Sequence, residues 1–362
     1  MKLADLPTPC LVLDRGILLR NIGTMARWLA RHRVPLRPHM KTAKSIEVAR
    51  LATAGQPGGI TVSTLAEAEY FAGYGITDIL YAVGITPQKL DQVAKLNGAG
   101  AAVIVLTDDL DTASAIAAHR QPPRVLIEID TGEGRGGVAP DDYLLLEIAA
   151  RLGPYLAGVM THAGHSYAGR TLDDIAQIAE TERAGVVRAA ERLREAGHPA
   201  QIVSMGSSPT ALHARHLDGV TEVRAGVYMF GDLFQAEIGT HDLDSIALTV
   251  LTSVIGPAPR AAAGGCRRAG AVQGPQHRRC AEGLRLRAGA GCRRPAQPWR
   301  RRGPPRLPGA WRGGGRSGVS AGPADRRQAA HRAQPYLHDR GGRMIAILWS
   351  RTVTKSSPSG RA

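Results

Sequence analysis

The feature that most constrains this chain is a regular alternation. Short apolar runs are each followed by a longer stretch, and the unit repeats about eight times before residue 230. The strand-like runs are 34–39, 59–63, 78–83, 101–107, 124–130, 156–162, 201–206 and 221–226. Helical patterns fall between them at 45–54, 65–73, 87–96, 109–119, 141–151 and 173–196. Most of the strands are near-continuous apolar runs, as expected when both faces of a parallel sheet are covered. The repeat predicts an α/β fold, a (β/α)8 TIM-type barrel. A doubly wound open sheet is the alternative. No GxGxxG follows an early strand, which weakens its dinucleotide-binding form. Two further strands, 10–14 and 246–255, flank the barrel and could pair in a second, β-rich domain. The expected division is a barrel over 1–245, followed over 246–362 by a degraded or disordered remnant of a β-rich C-terminal domain.

Composition matters where the repeat stops. The net charge of +15 suggests a nucleic-acid partner, but it is unevenly placed. Residues 1–255 carry 23 Lys and Arg against 28 Asp and Glu, and residues 256–362 carry 23 against 3. The barrel region is mildly acidic. The tail is rich in Arg, Gly, Ala and Pro and cannot supply a comparable core. It has no aromatic interleaving and no folded motif, so nucleic-acid binding is not expected. No uncharged apolar run reaches the roughly 18 residues of a membrane span, and residues 1–8 lack a signal-peptide pattern. Only Cys10 precedes the tail, which holds Cys266, Cys280 and Cys292. No disulfide framework is implied, and a cytoplasmic location is expected.

The chemistry gathers where strands end. After the first barrel strand comes Arg37-Pro38-His39-Met40-Lys41-Thr42-Ala43-Lys44. A lysine just past a buried strand is a candidate Schiff-base former, because burial and neighbouring cations lower its pKa. The plainer reading is a solvated loop lysine. The fifth strand leads into Gly132-Glu133-Gly134-Arg135-Gly136-Gly137, where Arg135 can meet an anionic group or merely cap a turn. The sixth leads into Thr161-His162-Ala163-Gly164-His165-Ser166-Tyr167, with acid/base capacity near neutral pH. The seventh and eighth end in Gly206-Ser207-Ser208-Pro209-Thr210 and Arg224-Ala225-Gly226-Val227-Tyr228. Small hydroxyl residues and free backbone N–H groups there suit a phosphate, although each loop alone could be an ordinary turn. A lysine facing a phosphate loop, with an arginine and histidines between, suggests pyridoxal 5'-phosphate, an electron sink for a carbanion.

With Leu6-Pro7-Thr8-Pro9 and Glu67-Ala68-Glu69, these stretches resemble the D-threonine aldolase/D-serine dehydratase family over about residues 6–255. That family shares its barrel with the alanine racemase N-terminal domain. The lysine motif is the most specific part, and it departs from the family at Ala43, where a histidine is usual. The resemblance implies that Lys41 carries the cofactor and that Arg135 and Tyr167 contact its ring. Gly206, Ser207, Ser208, Gly226 and Tyr228 would hold the phosphate, with His165 as a catalytic acid/base. It also implies a divalent metal, held by a His-x-Cys or His-x-Asp pair near the C-terminus. No such pair stands at the expected place, so no metal ligand is assigned. A lone His277 and Cys280 in such a tail read as chance.

Residues 258–343 read like a GC-rich gene taken out of frame. Back-translating 331–342 with codons chosen to suit, and shifting one base, gives a string containing His-Thr-Cys, and 272–281 also yields a family-like string. A second shift, or a sequencing error, is needed, because Met344-Ile345 places a stop in that frame. Three functions are then open. The first is a lyase for β-hydroxy-D-amino acids, aldolase-like or dehydratase-like, inactive here if the metal ligands are missing. The second is a cofactor-binding barrel without catalysis. The third is an amino-acid racemase, whose second base would come from the unread domain. The resemblance also implies pairing of two copies, with a small D-amino acid as substrate.

Overall fold

The computed structural model describes residues 3–57 and 59–253, and the strand residues 337–338, 344–345 and 351–355. Other expectations for the tail, the disordered cationic remnant among them, lie outside the described residues. The chain divides into one unit of Met1–Val272 with Leu337–Ala362 and another of Gln273–Tyr336. All described residues belong to the first.

Eight parallel strands form the body of that unit. They are β2 (Leu36–Pro38), β3 (Ile60–Val62), β4 (Asp78–Gly84), β5 (Ala102–Thr107), β6 (Val125–Ile129), β7 (Leu156–Thr161), β8 (Ile202–Met205) and β9 (Glu222–Ala225). Their order is β2-β9-β8-β7-β6-β5-β4-β3, so the first strand of the series lies beside the last. An open doubly wound sheet does not join its ends in this way. The remaining seam, between β2 and β3, is crossed by a parallel bridge from His39 to Thr61, where the Met40 N–H donates to the Thr61 carbonyl at 2.8 Å. The result is a nearly closed (β/α)8 TIM-type barrel, as the alternation predicts.

Each strand alternates between two environments, because successive side chains leave opposite faces. Val103, Val105, Val125, Ile127, Val159 and Val203 belong to the large core shared with the surrounding helices. Leu80, Ile104, Leu106, Leu126 and Met160 form a second cluster in the barrel interior. The helices are α2 (Ile46–Thr53), α3 (Leu65–Gly73), α4 (Leu90–Gly98), α5 (Leu110–Ala117), α6 (Leu144–Leu152), α7 (Leu172–Glu195) and α8 (Ser208–His213), with a short α9 (Leu233–Glu237) after β9. Several begin at the residue type that supplies a missing acceptor. Ser45, Thr64, Asp109, Thr171, Ser207 and Asp232 each accept from a backbone N–H of the following turn.

Helix α1 (Arg15–His32) was not among the expected helices. Its buried Leu18, Ile22, Met25 and Leu29 recur at helical spacing, and Asp14 caps it. The two flanking strands do pair. β1 (Cys10–Leu13) runs antiparallel to β10 (Leu248–Ser253). On its other side β10 pairs in parallel with β13 (Arg351–Lys355), while β11 (Leu337–His338) and β12 (Met344–Ile345) form a small antiparallel ladder. Among the described residues no helix is long and apolar enough to cross a membrane.

Candidate active site

A cavity of about 440 Å³ opens at the C-terminal ends of the barrel strands. Interior positions of the strands supply its floor, and the loops beyond them supply its rim. His39, Ser63, Gly84, Glu128, His162 and Arg224 line it from below, each in phase with the interior residues of its own strand.

Lys41 stands at the mouth. Met40 before it is fully buried in the core, and Lys44 after it takes a left-handed φ of 49° while its N–H returns to the Met40 carbonyl at 2.8 Å. That turn carries Lys41 to the cavity and sends Lys44 away, to an ion pair with Glu67 at 3.2 Å. Partial burial holds the Lys41 amine below the usual lysine range, and the cations of Arg135 and Arg224 lower it further. Ala43 is buried in the main core, so the loop departs from the family at a position facing away from solvent.

The opposite wall is formed by glycines, serines and backbone N–H groups. Gly206 has a φ of +135°, and a Cβ there would strike the Arg224 carbonyl. A Cβ on Gly226 would lie 2.8 Å from Thr42 Oγ1 and 3.0 Å from the His39 carbonyl. Two chain segments therefore approach as closely as glycine allows. Gly226 and Val227 face the cavity at the start of a 3-10 turn, and their N–H groups have no acceptor among the described residues. Ser207 caps α8 and shares a hydrogen bond with Ser166 at 2.9 Å. Ser208 Oγ accepts the Tyr228 N–H at 3.1 Å, which ties the two loops together.

Tyr167 closes this side. Its ring stacks on Phe234, with centroids 6.1 Å apart, and burial pushes its phenol up to about 12. Arg135 lies at the rim, 3.2 Å from Glu133 and 3.9 Å from Glu128. Burial raises the carboxyl of Glu128, against the pull of Arg135. Lys41, Arg135, Tyr167, Gly206, Ser207, Ser208 and Gly226, all singled out in the sequence, thus meet around one cavity.

Two of the residues singled out do not reach it with their side chains. His165 sits in a 3-10 turn beyond β7, outside the cavity lining. Its ring lies beside Gly132, and its Nδ1 is buried without a partner among the described residues. Tyr228 contributes its peptide N–H to the loop junction, but its side chain lines a separate cavity of about 320 Å³ with Asn21, Thr240 and His241.

The histidine that does face the main cavity is His162. Its Nδ1 donates to the Gly206 carbonyl at 2.8 Å, which leaves Nε2 as the basic nitrogen. Burial pushes its pKa down to about 3, despite that hydrogen bond, so the ring is neutral. His39 is likewise held well below the usual range by burial and by Lys41. Residue phase carries the signal that separates these two from His165: both lie on the interior parity of their strands, and His165 lies in the turn. Glu182 of α7 is another residue the sequence does not single out. Fully buried, it accepts the N–H groups of Ala163 and Gly206, each at 3.0 Å, and so fixes the ends of β7 and β8. Among the described residues no group of three or more His, Cys, Asp or Glu is placed to hold a metal ion.

Comparison with known proteins agrees with this geometry. The family described as the alanine racemase N-terminal domain matches residues 13–233. A D-threo-3-hydroxyaspartate dehydratase from Delftia sp. (strain HT23) is 48% identical over 262 residues, covering 70% of this chain and 69% of that protein. Its solved structure superposes with a TM-score of 0.69, over 70% of this chain and 69% of that one. A D-serine dehydratase from Dictyostelium discoideum is 30% identical over 69% of both chains. A D-threonine aldolase from Arthrobacter sp. is 31% identical over 71% of this chain and 70% of that protein.

Proposed function

This chain belongs to the alanine racemase N-terminal domain family of pyridoxal-phosphate-dependent enzymes, and on that premise we propose that it is a lyase for β-hydroxy-D-amino acids, of the dehydratase type. One observation carries the proposal: a lysine amine of lowered pKa faces, across one cavity, a glycine-lined wall whose N–H groups at Gly226 and Val227 have no acceptor among the described residues. The similarity to a 3-hydroxyaspartate dehydratase favours elimination of the β-hydroxyl over cleavage of the Cα–Cβ bond.

The residues present suit pyridoxal 5'-phosphate. Side chains larger than hydrogen are excluded at Gly206 and Gly226, where the phosphate would sit against the N–H groups of Gly226 and Val227 and the Ser208 hydroxyl. Lys41 would hold the aldehyde, with Arg135 and Tyr167 at the ring. When bound, the cofactor supplies a sink for the electron pair left at Cα.

The chain's own residues do the rest. A lowered pKa leaves more of the Lys41 amine neutral near pH 7, and only the neutral amine is a nucleophile or a base. His162 presents a neutral imidazole whose Nε2 can take a proton, with the Gly206 carbonyl fixing the tautomer. We assign proton handling to Lys41 and His162 rather than to His165, because a general acid or base must reach the reacting atoms. Arg135, at the rim, can bind a substrate carboxylate. The metal that the resemblance implies is assigned no ligand pair in this chain; where bound, it would lower the cost of charge on the departing hydroxyl. We also take 1–245 as the cofactor barrel and 246–362 as a separate region, with a second copy of the chain as partner and a cytoplasmic location.

The test is uptake of pyridoxal 5'-phosphate, followed by its absorbance, with borohydride trapping and mapping of the modified residue. Label on Lys41, lost in Lys41→Ala, is the expected result. Turnover of D-threo-3-hydroxyaspartate, D-serine and D-threonine is then measured with and without divalent metal. Absence of cofactor uptake ends the proposal. Uptake without turnover of any substrate makes the chain a cofactor-binding barrel.

A further inference from the structure

Arg224 is a buried cation whose anchoring is indirect. It sits on the interior face of β9 and lines the floor of the main cavity, yet only 3% of it is exposed. Among the described residues no carboxylate lies at ion-pair distance from it. Its Nη1 donates to Ser204 Oγ at 2.7 Å, and its Nη2 donates to the Thr161 carbonyl. Arginine has no acceptor, so the Ser204 proton is committed elsewhere. It goes to Glu222 Oε1, at 2.6 Å. The other oxygen of Glu222 accepts from Arg37 Nε at 2.8 Å. Arg37 in turn holds Asp78 in a fork, at 2.8 and 3.2 Å.

These groups form one chain down the inside of the barrel, from the cavity floor to the far end of β4. The pairing register puts them in reach of each other, with Ser204 beside Glu222 and Arg37 beside Arg224. Cation and anion alternate along it, so its formal charges cancel. Elsewhere in the interior the same space is filled by Leu80, Ile104, Leu106 and Leu126. Apolar filling is the cheaper solution, because burying ions costs more than it returns unless each is paired. What apolar filling cannot do is hold a guanidinium at the cavity wall in one orientation.

We infer that Ser204 and Glu222 are positioning residues, which fix Arg224 and set the positive field that the bound cofactor meets. The inference rests on the cofactor reading of the cavity and deepens it. Arg224 already acts on its surroundings: its charge lowers the basicity of Lys41, His39 and His162. Ser204 carries that orientation from the ionic chain to the cavity. Glu222 lies between Arg37 and Arg224 and, together with Asp78, offsets their charge.

The experiment titrates the full-length chain, freed of cofactor, with pyridoxal 5'-phosphate. It reads the dissociation constant, and the pH midpoint of the bound cofactor's absorption band. In Ser204→Ala the guanidinium loses its side-chain anchor, and Glu222 keeps a buried oxygen without its donor. Affinity is expected to fall about tenfold, as when one buried hydrogen bond to a charged group is lost. Glu222→Gln keeps the acceptor for Ser204, and removes the charge together with the oxygen that accepts from Arg37 Nε. Asp78 still pairs with Arg37, so the ionic chain is left with one net positive charge acting on a protonated cofactor, and the pH midpoint is expected to move down. A purely structural role would lower the melting temperature and leave the affinity and midpoint of the folded protein unchanged, and that result overturns the inference. If Ser204→Ala does not fold, the midpoint in Glu222→Gln decides. Uptake by the wild-type chain with both variants indistinguishable from it defeats the relay alone. A wild-type chain that takes up no cofactor defeats the reading of the site and the relay together.

Discussion

Lys41 and His162 are both held on the neutral side of their ordinary titrations, and each makes a pH-dependent prediction. For Lys41 the causes are burial first, then Arg135 and Arg224. Cofactor uptake needs the neutral amine, so its rate should rise with pH and level off at a midpoint below 10.5, the ordinary lysine value. Arg135→Gln removes the larger of the two cationic influences and should move that midpoint up, as rapid-mixing measurements across pH would show. For His162 the readout is stability. Its folded pKa is about 3 against an ordinary 6.5, so below pH 6.5 the unfolded chain binds a proton that the folded chain refuses. Its contribution is complete above 6.5 and is lost as pH falls toward about 3, at up to about 1.4 kcal/mol per pH unit. Urea unfolding of His162→Gln across that window should show a slope shallower by about that amount; an unchanged slope would place the ring in a solvated, protonatable site. Lys41 and the glycine–serine loops were legible in the sequence because their chemistry shows in residue type and in position after a strand. The choice between His162 and His165 was not, since both lie in one short motif. It depends on where β7 stops, a matter of one or two residues.

At the scale of elements, the ends of strands are held by a helix. Glu182 projects from the middle of α7 into a fully buried position and accepts from Ala163 at the end of β7 and from Gly206 at the end of β8. Burial raises its carboxyl, and the two N–H donors oppose the rise. Glu182→Ala leaves two buried donors without an acceptor and should cost about 2–4 kcal/mol in urea unfolding, with weaker cofactor uptake because Gly206 shifts. Glu182→Gln keeps the shared oxygen and should cost no more than about 1 kcal/mol. Equal losses in the two variants would mean that the carboxylate charge, and not the acceptor, holds the loops. The barrel strands were legible because most are dense apolar runs bounded by turn residues; β2 (Leu36–Pro38) and β9 (Glu222–Ala225) carry charged residues and follow from their place in the repeat. Glu182 was not. In the sequence it is one of several charged residues on a long amphipathic helix, and only the crossing of α7 over the strand ends makes it internal. Helix α1 has a plain apolar stripe at Leu18, Ile22, Met25 and Leu29, and it was missed because the repeat was counted from the first barrel strand.

For the molecule as a whole, the acidic barrel region and the basic tail need a common account. The match to the Delftia dehydratase takes in 70% of this chain and 69% of that protein, so nearly equal lengths stand unmatched on the two sides. A shifted reading frame keeps the number of codons and scrambles the residues. It also turns GC-rich codons into Arg, Gly, Ala and Pro, which is the composition after residue 256, where 23 basic residues face 3 acidic ones. The barrel strands and β10 all precede residue 256, and β1 pairs with β10 within that part. The cofactor cavity lies wholly within the matched part. The ligands implied for a metal do not. Resequencing the gene across codons 256–345, and translating the displaced frame, should therefore extend the similarity to the dehydratase beyond residue 256 and uncover a His-x-Cys or His-x-Asp pair. A protein made from the restored frame should then show more metal-dependent turnover than the present chain, with the same affinity for pyridoxal 5'-phosphate at the barrel. If the other frames carry no such similarity, the basic tail is the product the gene encodes, and the cavity works without a partner domain of the family's kind.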